Sequence, residues 1–357
     1  MKRFLVKTFS VWLAAWACLL IAPAQAAPVS YQMVTVGNAG NASDTTGYGA
    51  VAYEYQIGKY DVTIGQYTAF LNAADPDGTN PNDIYNSNMG TDLNIAGISY
   101  TAGAAAGAKY SVIENGGDSS NRPITYVSWL DAARFTNWMT NGQGNGSTET
   151  GAYNLATADP GVAPAKTPSA AFYIPNENEW YKAAYYSPNY GGDGVPGYYV
   201  YATQSNTAPG NVVGSTANQA NYITSSDGAR YSVTQSSIYS ITQNYLTDVG
   251  AFSGSGSFYG TFDQGGDVYQ WNDLDGIPGY SRGLRGGSWN SFYSVSLSSS
   301  NYGWVDPRTE TSYWGFRLAS PVSNSAVPEI DPAGMGSVLA IVSGALCLLE
   351  RRRLKAA

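Results

Sequence analysis

The stretch that decides the fold class runs Tyr53-Glu54-Tyr55-Gln56-Ile57-Gly58-Lys59-Tyr60, then Asp61-Val62-Thr63, then Ile64-Gly65-Gln66-Tyr67-Thr68-Ala69-Phe70-Leu71. Its first part alternates, the period of a half-buried strand. Its second part opens with Thr63 and, three residues later, Gln66. At that spacing the two side chains accept each other's backbone N–H groups at a helix start. Ile64, Tyr67, Leu71 and Ala74 then recur at helical intervals. A short strand therefore feeds straight into an amphipathic helix.

Two more helix starts follow the same logic. Ser128 precedes Asp131 by three residues, and Trp129, Ala132, Phe135 and Met139 can line one side. Asn176, just after Pro175, precedes Glu179, and that helix runs through Trp180, Ala183 and Ala184 toward a stop at Pro188. Elsewhere the chain is rich in Gly, Asn, Ser and Tyr, which predicts short strands and long loops. Asp75 to Gly117 and Thr140 to Ser169 have little periodicity and read as insertions. Few helices, short strands and long loops make the class α+β.

The two ends read differently from the body. Lys2, Arg3 and Lys7, an apolar run from Val11 to Ile21, and Ala24-Gln25-Ala26 form a secretory leader, with cleavage expected after Ala26. Near the other end, residues 333–349 are apolar and uncharged, long enough for a membrane helix, and Arg351-Arg352-Arg353 follow. The basic cluster is expected to stay in the cytoplasm. Val327-Pro328-Glu329, this helix and the arginines together resemble a variant PEP-CTERM sorting signal, with Ile330 where a proline is usual. That resemblance implies an exosortase-type protease as partner, tethering in the inner membrane, and release to the cell surface or beyond. The chain then divides into a leader (1–26), one domain (27–320) and a sorting tail (321–357).

Composition excludes more than it suggests. Removing the three basic residues of the leader, and the four basic and three acidic residues from Glu329 onward, leaves 11 basic against 23 acidic, a net charge near −12. Such a body has no electrostatic reason to bind nucleic acid. There is no histidine, and the two cysteines, Cys18 and Cys347, lie in the terminal segments. Triads with histidine, thiolate nucleophiles and His-ligated metals are therefore excluded from the body. Carboxylates, hydroxyls, amides, Lys, Arg and aromatic faces remain; the 9 Trp and 29 Tyr supply material for a core despite the 41 glycines.

Six blocks, in order, resemble the formylglycine-generating (sulfatase-modifying factor) family. They are Ile57-Gly58-Lys59-Tyr60-Asp61-Val62-Thr63; Arg122-Pro123-Ile124 through Ser128-Trp129-Leu130-Asp131-Ala132; Ile174-Pro175-Asn176-Glu177-Asn178-Glu179-Trp180; Asp263-Gln264-Gly265-Gly266-Asp267-Val268-Tyr269-Gln270-Trp271; Arg285-Gly286-Gly287-Ser288-Trp289; and Gly315-Phe316-Arg317. The resemblance implies a C-type-lectin-like fold stabilised by calcium and, in catalytic members, copper-dependent oxidation of a sulfatase cysteine to formylglycine. That oxidation needs a cysteine pair between the fifth and sixth blocks, and Asn290 to Trp314 contains none. Soft thiolates hold copper(I) and serine does not, so copper is not expected. For calcium, the resemblance implies one site at Asn221 and Tyr222 with Asp248 as carboxylate. A second is implied at Gly266, Asp267 and Gln270, where the family has asparagine and glutamate in the last two positions.

Other features have plainer readings. Arg285-Gly286-Gly287-Ser288-Trp289 lacks the spacing of a phosphate loop and reads as a strand with packed glycines. Tyr185-Tyr186 and Tyr198-Tyr199-Val200-Tyr201 could stack sugars, but core packing is the commoner use. Glu177 and Glu179 are accounted for by a helix start, and no carboxylate pair marks a hydrolase. The reading is an exported, non-catalytic surface protein binding an extracellular polysaccharide or another envelope component. The alternatives are a sulfatase-modifying enzyme and a carboxylate-based glycan hydrolase.

Overall fold

The structure, a computed structural model, describes residues 28–224 and 228–322. The predicted leader, the sorting motif Val327-Pro328-Glu329 and the predicted membrane helix 333–349 lie outside the described residues. Among the described residues no helix is long and apolar enough to cross a membrane.

The opening stretch folds as its pattern predicts. Strand β2 (Tyr55–Gly58) lies between β1 (Met33–Val36) and the last strand, β11 (Ala319–Pro321), both antiparallel to it. Ile57 meets Val34 on one side and Ala319 on the other, so the two ends of the domain close on one central strand. Thr63 caps α1 (Ile64–Ala74) with the reciprocal Thr63–Gln66 pair formed. The same device starts α3 (Trp129–Thr140) at Ser128 and Asp131, and α4 (Glu177–Tyr185) at Asn176 and Glu179. Helix α4 stops before Pro188, because Tyr186–Ser187 (β5) turns away to pair with Gly197–Tyr198 (β6).

The principal core lies between α1, α3 and the main sheet. Phe135 sits at its centre, edge-on to Phe70 at 5.4 Å and to Phe316 at 5.5 Å. Such edge-to-face pairs add to the burial of the rings. The segment read as an insertion is partly built into this core. It holds a one-turn helix, α2 (Asn88–Thr91), and a hairpin of β3 (Ile98–Tyr100) and β4 (Tyr110–Val112), and it buries Ile98 and Tyr110. Its Asn- and Gly-rich sequence hides this, since each element is three or four residues long.

The main sheet has the order β10 (Trp314–Gly315), β7 (Tyr269–Asn272), β8 (Arg282–Arg285), β9 (Gly303–Val305). Strand β10 runs parallel to β7, the other neighbours are antiparallel, and β9 is an edge. The central strand reads Arg-Gly-Leu-Arg and is buried throughout, so both arginines need partners inside the protein. The strand ends at Arg285. Gly286, at φ 104°, turns the chain where a Cβ would stand 2.8 Å from the Gln264 carbonyl. The glycine pair is thus a bend after the strand rather than part of it.

Candidate functional site

The motif residues converge inside the domain as a frame of buried polar pairs. Arg317 is fully buried; its Nη2 lies 3.1 Å from Asp61 Oδ1, and its Nη1 donates to the Gly58 carbonyl at 2.9 Å. Its Nε donates to Gln270 Oε1 at 2.7 Å, an oxygen that also accepts from Trp180 Nε1 at 2.8 Å. The Gln270 amide nitrogen donates in turn to the Asp263 carbonyl (2.7 Å) and to Asp61 Oδ2 (3.3 Å). Burial pushes the Asp61 carboxyl up to about 8 and that of Asp263 to about 6, with Arg317 opposing both shifts. Two further buried pairs brace β8: Arg282 with Asp273 at 2.7 Å, and Arg285 with Glu177 at the start of α4.

A second buried group ties the loop at Asn221 to the sheet. Asn221 Nδ2 donates to Asp267 Oδ1 at 3.0 Å and to the Tyr245 carbonyl at 2.9 Å. The other carboxylate oxygen of Asp267 accepts from the Thr247 hydroxyl at 2.8 Å. Burial raises the Asp267 carboxyl well above its usual range, reinforced by Asp263. Gly266 has a positive φ, and any Cβ there would fall against the Asn221 backbone that runs beside it.

Outside this frame, an open cleft of about 430 Å³ lies where the chain leaves Trp289. Its wall is a stack of aromatic rings. Trp289 and Tyr245 are parallel within 5° at 5.2 Å, and Tyr239 continues the stack on Tyr245 at 5.8 Å and 9°. Tyr231 leans on Tyr245 at 4.4 Å. Tyr239 is 49% exposed, although its hydroxyl is held by Asn94 Oδ1. Asn94 is fixed through its Nδ2 to the Ser240 and Gln243 carbonyls, both at 2.8 Å, and Asp92 accepts from the Tyr126 hydroxyl. Asn290 and Ser312 also line the cleft; the Ser312 hydroxyl lies beside that of Tyr126, and the Asn290 side chain makes no hydrogen bond to the described residues. The cleft therefore offers the half-exposed Tyr239 ring and the Asn290 amide, over a base held rigid by its own hydrogen bonds.

The sequence from residue 33 to residue 322 matches the sulfatase-modifying factor enzyme 1-like domain. The chain belongs to this family. Comparison with curated protein sequences finds no match. Among solved structures, Treponema denticola variable protein 1 is 18% identical with a TM-score of 0.41, over 82% of this chain and 96% of that one. CarF is 18% identical with a TM-score of 0.41, covering 82% and 99%. PvdO from Pseudomonas aeruginosa is 17% identical with a TM-score of 0.38, covering 82% and 92%.

Within this sulfatase-modifying factor domain, the six residues suggested for calcium fall into three places. Asn221 and Asp267 meet directly, with Gly266 in the backbone beside them. Gln270 belongs instead to the Arg317–Asp61 cluster. Asp248 is exposed and lines another cleft together with Asp61 and Asn121. The Tyr222 carbonyl accepts from Asn211 Nδ2 at 3.0 Å and its hydroxyl bonds the Pro209 carbonyl. Calcium requires six to eight oxygens converging on one point. Here the amide nitrogens of Asn221 and Gln270 face carboxylates, and the oxygen of Gln270 faces a permanent guanidinium cation. This donor set does not fit a calcium ion. Among the described residues no group of three or more acidic side chains has metal-holding spacing.

Of the tyrosines singled out in the sequence, most have gone to the core, while Tyr198 and Tyr199 are half-buried. Tyr185, Tyr186 and Tyr201 are buried, and Tyr198 packs on Tyr181 at 5.6 Å. Glu179 is a helix cap that also accepts from the hydroxyls of Tyr53 and Tyr173, whereas Glu177 serves Arg285 and is more than a helix-start residue. Of the cleft residues, only Trp289 stood in a motif. Tyr231, Tyr239, Asp92 and Asn94 come from irregular loops far apart in sequence, and nothing local marks them.

Proposed function

We propose that this chain is an exported, non-catalytic member of the family that binds a glycan or another envelope component in the cleft beside Trp289. The observation that carries the proposal is the pairing of that cleft with the interval Asn290 to Trp314, which has no thiol in a chain with no histidine. The family oxidation has no group to hold copper there. A half-exposed tyrosine ring beside amide and carboxylate groups suits a saccharide, which presents C–H on one face and O–H at its edges. Export through the leader, tethering by 333–349 and sorting by an exosortase-type protease near Val327-Pro328-Glu329 belong to the same proposal. They are supported by the three-part layout of the tail. Calcium is not part of it.

The test is calorimetric titration of the full-length chain with a panel of neutral and acidic oligosaccharides and with the polysaccharide of the producing cell. Alongside, formylglycine is measured in a co-expressed sulfatase peptide supplied with copper. Saturable binding of at least one glycan, with no formylglycine, is expected. Formylglycine formation would contradict the proposal, and indifference to every glycan would overturn its glycan reading.

A further inference from the structure

A second groove, of about 440 Å³, is built from four separate parts of the chain. Tyr48 comes from the N-terminal loop, Glu177 and Asn178 from the start of α4, Asp275 from the turn after β7, Trp304 from the edge strand β9 and Tyr302 from the residue just before it. None of these residues lines the cleft beside Trp289. Trp304 is 61% exposed and Tyr302 is 50% exposed. Their rings lie 5.8 Å apart and within 26° of parallel, so they form a platform open to solvent. Tyr48 meets Tyr302 edge-on at 5.9 Å and forms a wall. Large aromatic side chains left exposed together on a sheet edge forgo the burial that dominates their energetics, which marks them as contact surface.

The underside of this platform explains its rigidity and narrows its ligand. The Arg285 guanidinium lies 4.8 Å from the Tyr48 ring centre, 4.9 Å from that of Tyr181 and 5.6 Å from that of Tyr302. It is fully buried and paired with Glu177, and its Nη2 has no partner among the described residues. The inner ring faces are therefore already occupied by the protein's own cation. A second cation bound here would meet a like charge through the rings, so a cationic ligand is disfavoured. An anionic one is opposed by Glu177 and Asp275 at the groove and by the net negative body. Polar groups are nonetheless available at the rim. Asn178 Oδ1 accepts from Gly49 N at 2.9 Å, which leaves its NH₂ free. Asp275 uses Oδ1 on Ile277 N at 3.0 Å, which leaves its second oxygen free.

We infer that this groove is a second binding site, for a neutral oligosaccharide of β-linked gluco-configured pyranoses. In such a sugar the ring C–H bonds point to the two faces and the hydroxyls to the edge. One face lies on Trp304 and Tyr302, while edge hydroxyls donate to Asp275 and accept from Asn178. The site stands on its own residues and does not require the cleft beside Trp289 to bind anything.

The full-length chain is titrated by calorimetry with cellohexaose and, as the charge control, with hexagalacturonic acid. The variants are Trp304→Ala, Asp275→Ala and Tyr239→Ala, the last lying in the other cleft. Trp304 is exposed, so Trp304→Ala is expected to melt with the parent, and Asp275→Ala serves if it does not. The expected result is saturable binding of cellohexaose, weakened at least about tenfold by Trp304→Ala, as loss of one stacked ring implies. Asp275→Ala weakens it to a smaller extent, Trp304→Ala weakens it by the same factor in a Tyr239→Ala background, and hexagalacturonic acid binds at least about tenfold more weakly than cellohexaose. A parent chain that does not bind cellohexaose overturns the inference, and so does a Trp304→Ala variant that binds it as the parent does. Loss of glycan binding in Tyr239→Ala alone would uphold the cleft and dismiss the groove.

Discussion

The buried frame around Arg317 and the aromatic cleft beside Trp289 are built from adjacent motif blocks, yet they follow opposite rules. At the centre of the frame the strong donors and acceptors are used by other residues of the chain: Arg317 by Asp61 and Gln270, Asp267 by Asn221 and Thr247. In the cleft the rings are fixed from behind, while the Asn290 side chain at the front has no hydrogen bond to the described residues. The motif residues that identify the family thus hold the fold, and the residues free to act lie in loops that no motif covers. Family membership here specifies architecture, and in the proposed function the loops decide what is bound.

The largest effect is expected from breaking the frame. Arg317→Met leaves Asp61 buried without its cation, and removing one partner of such a pair costs about 3–5 kcal/mol. For a chain of this size that lowers the melting temperature by about ten degrees, which thermal unfolding would record. Any binding that survives in the folded fraction would sharpen the separation between frame and cleft.

Restoring the family's glutamate should also destabilise. In Gln270→Glu the donors to Asp61 and to the Asp263 carbonyl vanish, and a third carboxyl joins Asp61 and Asp263. A cost of about 1–3 kcal/mol is expected, read by denaturant unfolding. A more stable variant would show that the glutamine is not there to serve Asp61.

A smaller effect concerns pH. Glu310, which accepts from Asn86, is pushed up to about 8, first by burial and then by the Asp131 carboxylate; Asp131 itself is pushed up to about 6, first by burial. A carboxyl whose folded pKa is raised binds its proton more tightly in the folded state. Its stabilising effect is full below about pH 4, where the unfolded carboxyl also protonates, and is lost as pH rises through 6 to 8. The melting temperature should therefore fall between pH 5 and pH 9 (about the span of these pKa values), and Glu310→Gln should reduce that fall. An unchanged slope in the variant would remove Glu310 from the account. The smallest expected effect is that of a chelator. The buried candidates for calcium are hydrogen-bonded within the chain, Asn221 to Asp267 and Gln270 to Arg317, so EDTA should leave the melting curve where it is.

The sequence made the scaffold readable because its signals are contiguous. Thr63 with Gln66, Ser128 with Asp131, and Asn176 with Glu179 each announce a helix within four residues, and each forms the cap expected of it. The ordered motif blocks carried the family. The partnership of Glu177 with Arg285 was hidden, because a glutamate at a helix start already has a local explanation. The hairpin of β3 and β4 was hidden because its strands are three residues long and lie in an Asn- and Gly-rich setting. The calcium reading meets a donor set that does not fit it: a motif preserves positions, but here the amide nitrogens of Asn221 and Gln270 face carboxylates. The abundance of tyrosine foretold aromatic surfaces without locating them. Tyr185 and Tyr201 went inward, while Tyr239 and Tyr302 came to the surface from loops without pattern.

The most direct test of the account is one measurement on Tyr239→Ala, its affinity for whichever glycan the parent chain binds in the cleft, made on protein whose melting temperature is recorded in the same buffer. The account predicts an unchanged melting temperature and binding weakened at least about tenfold, since a half-exposed ring contributes to the ligand and little to the fold. Unchanged affinity would place the binding surface elsewhere and contradict the central claim.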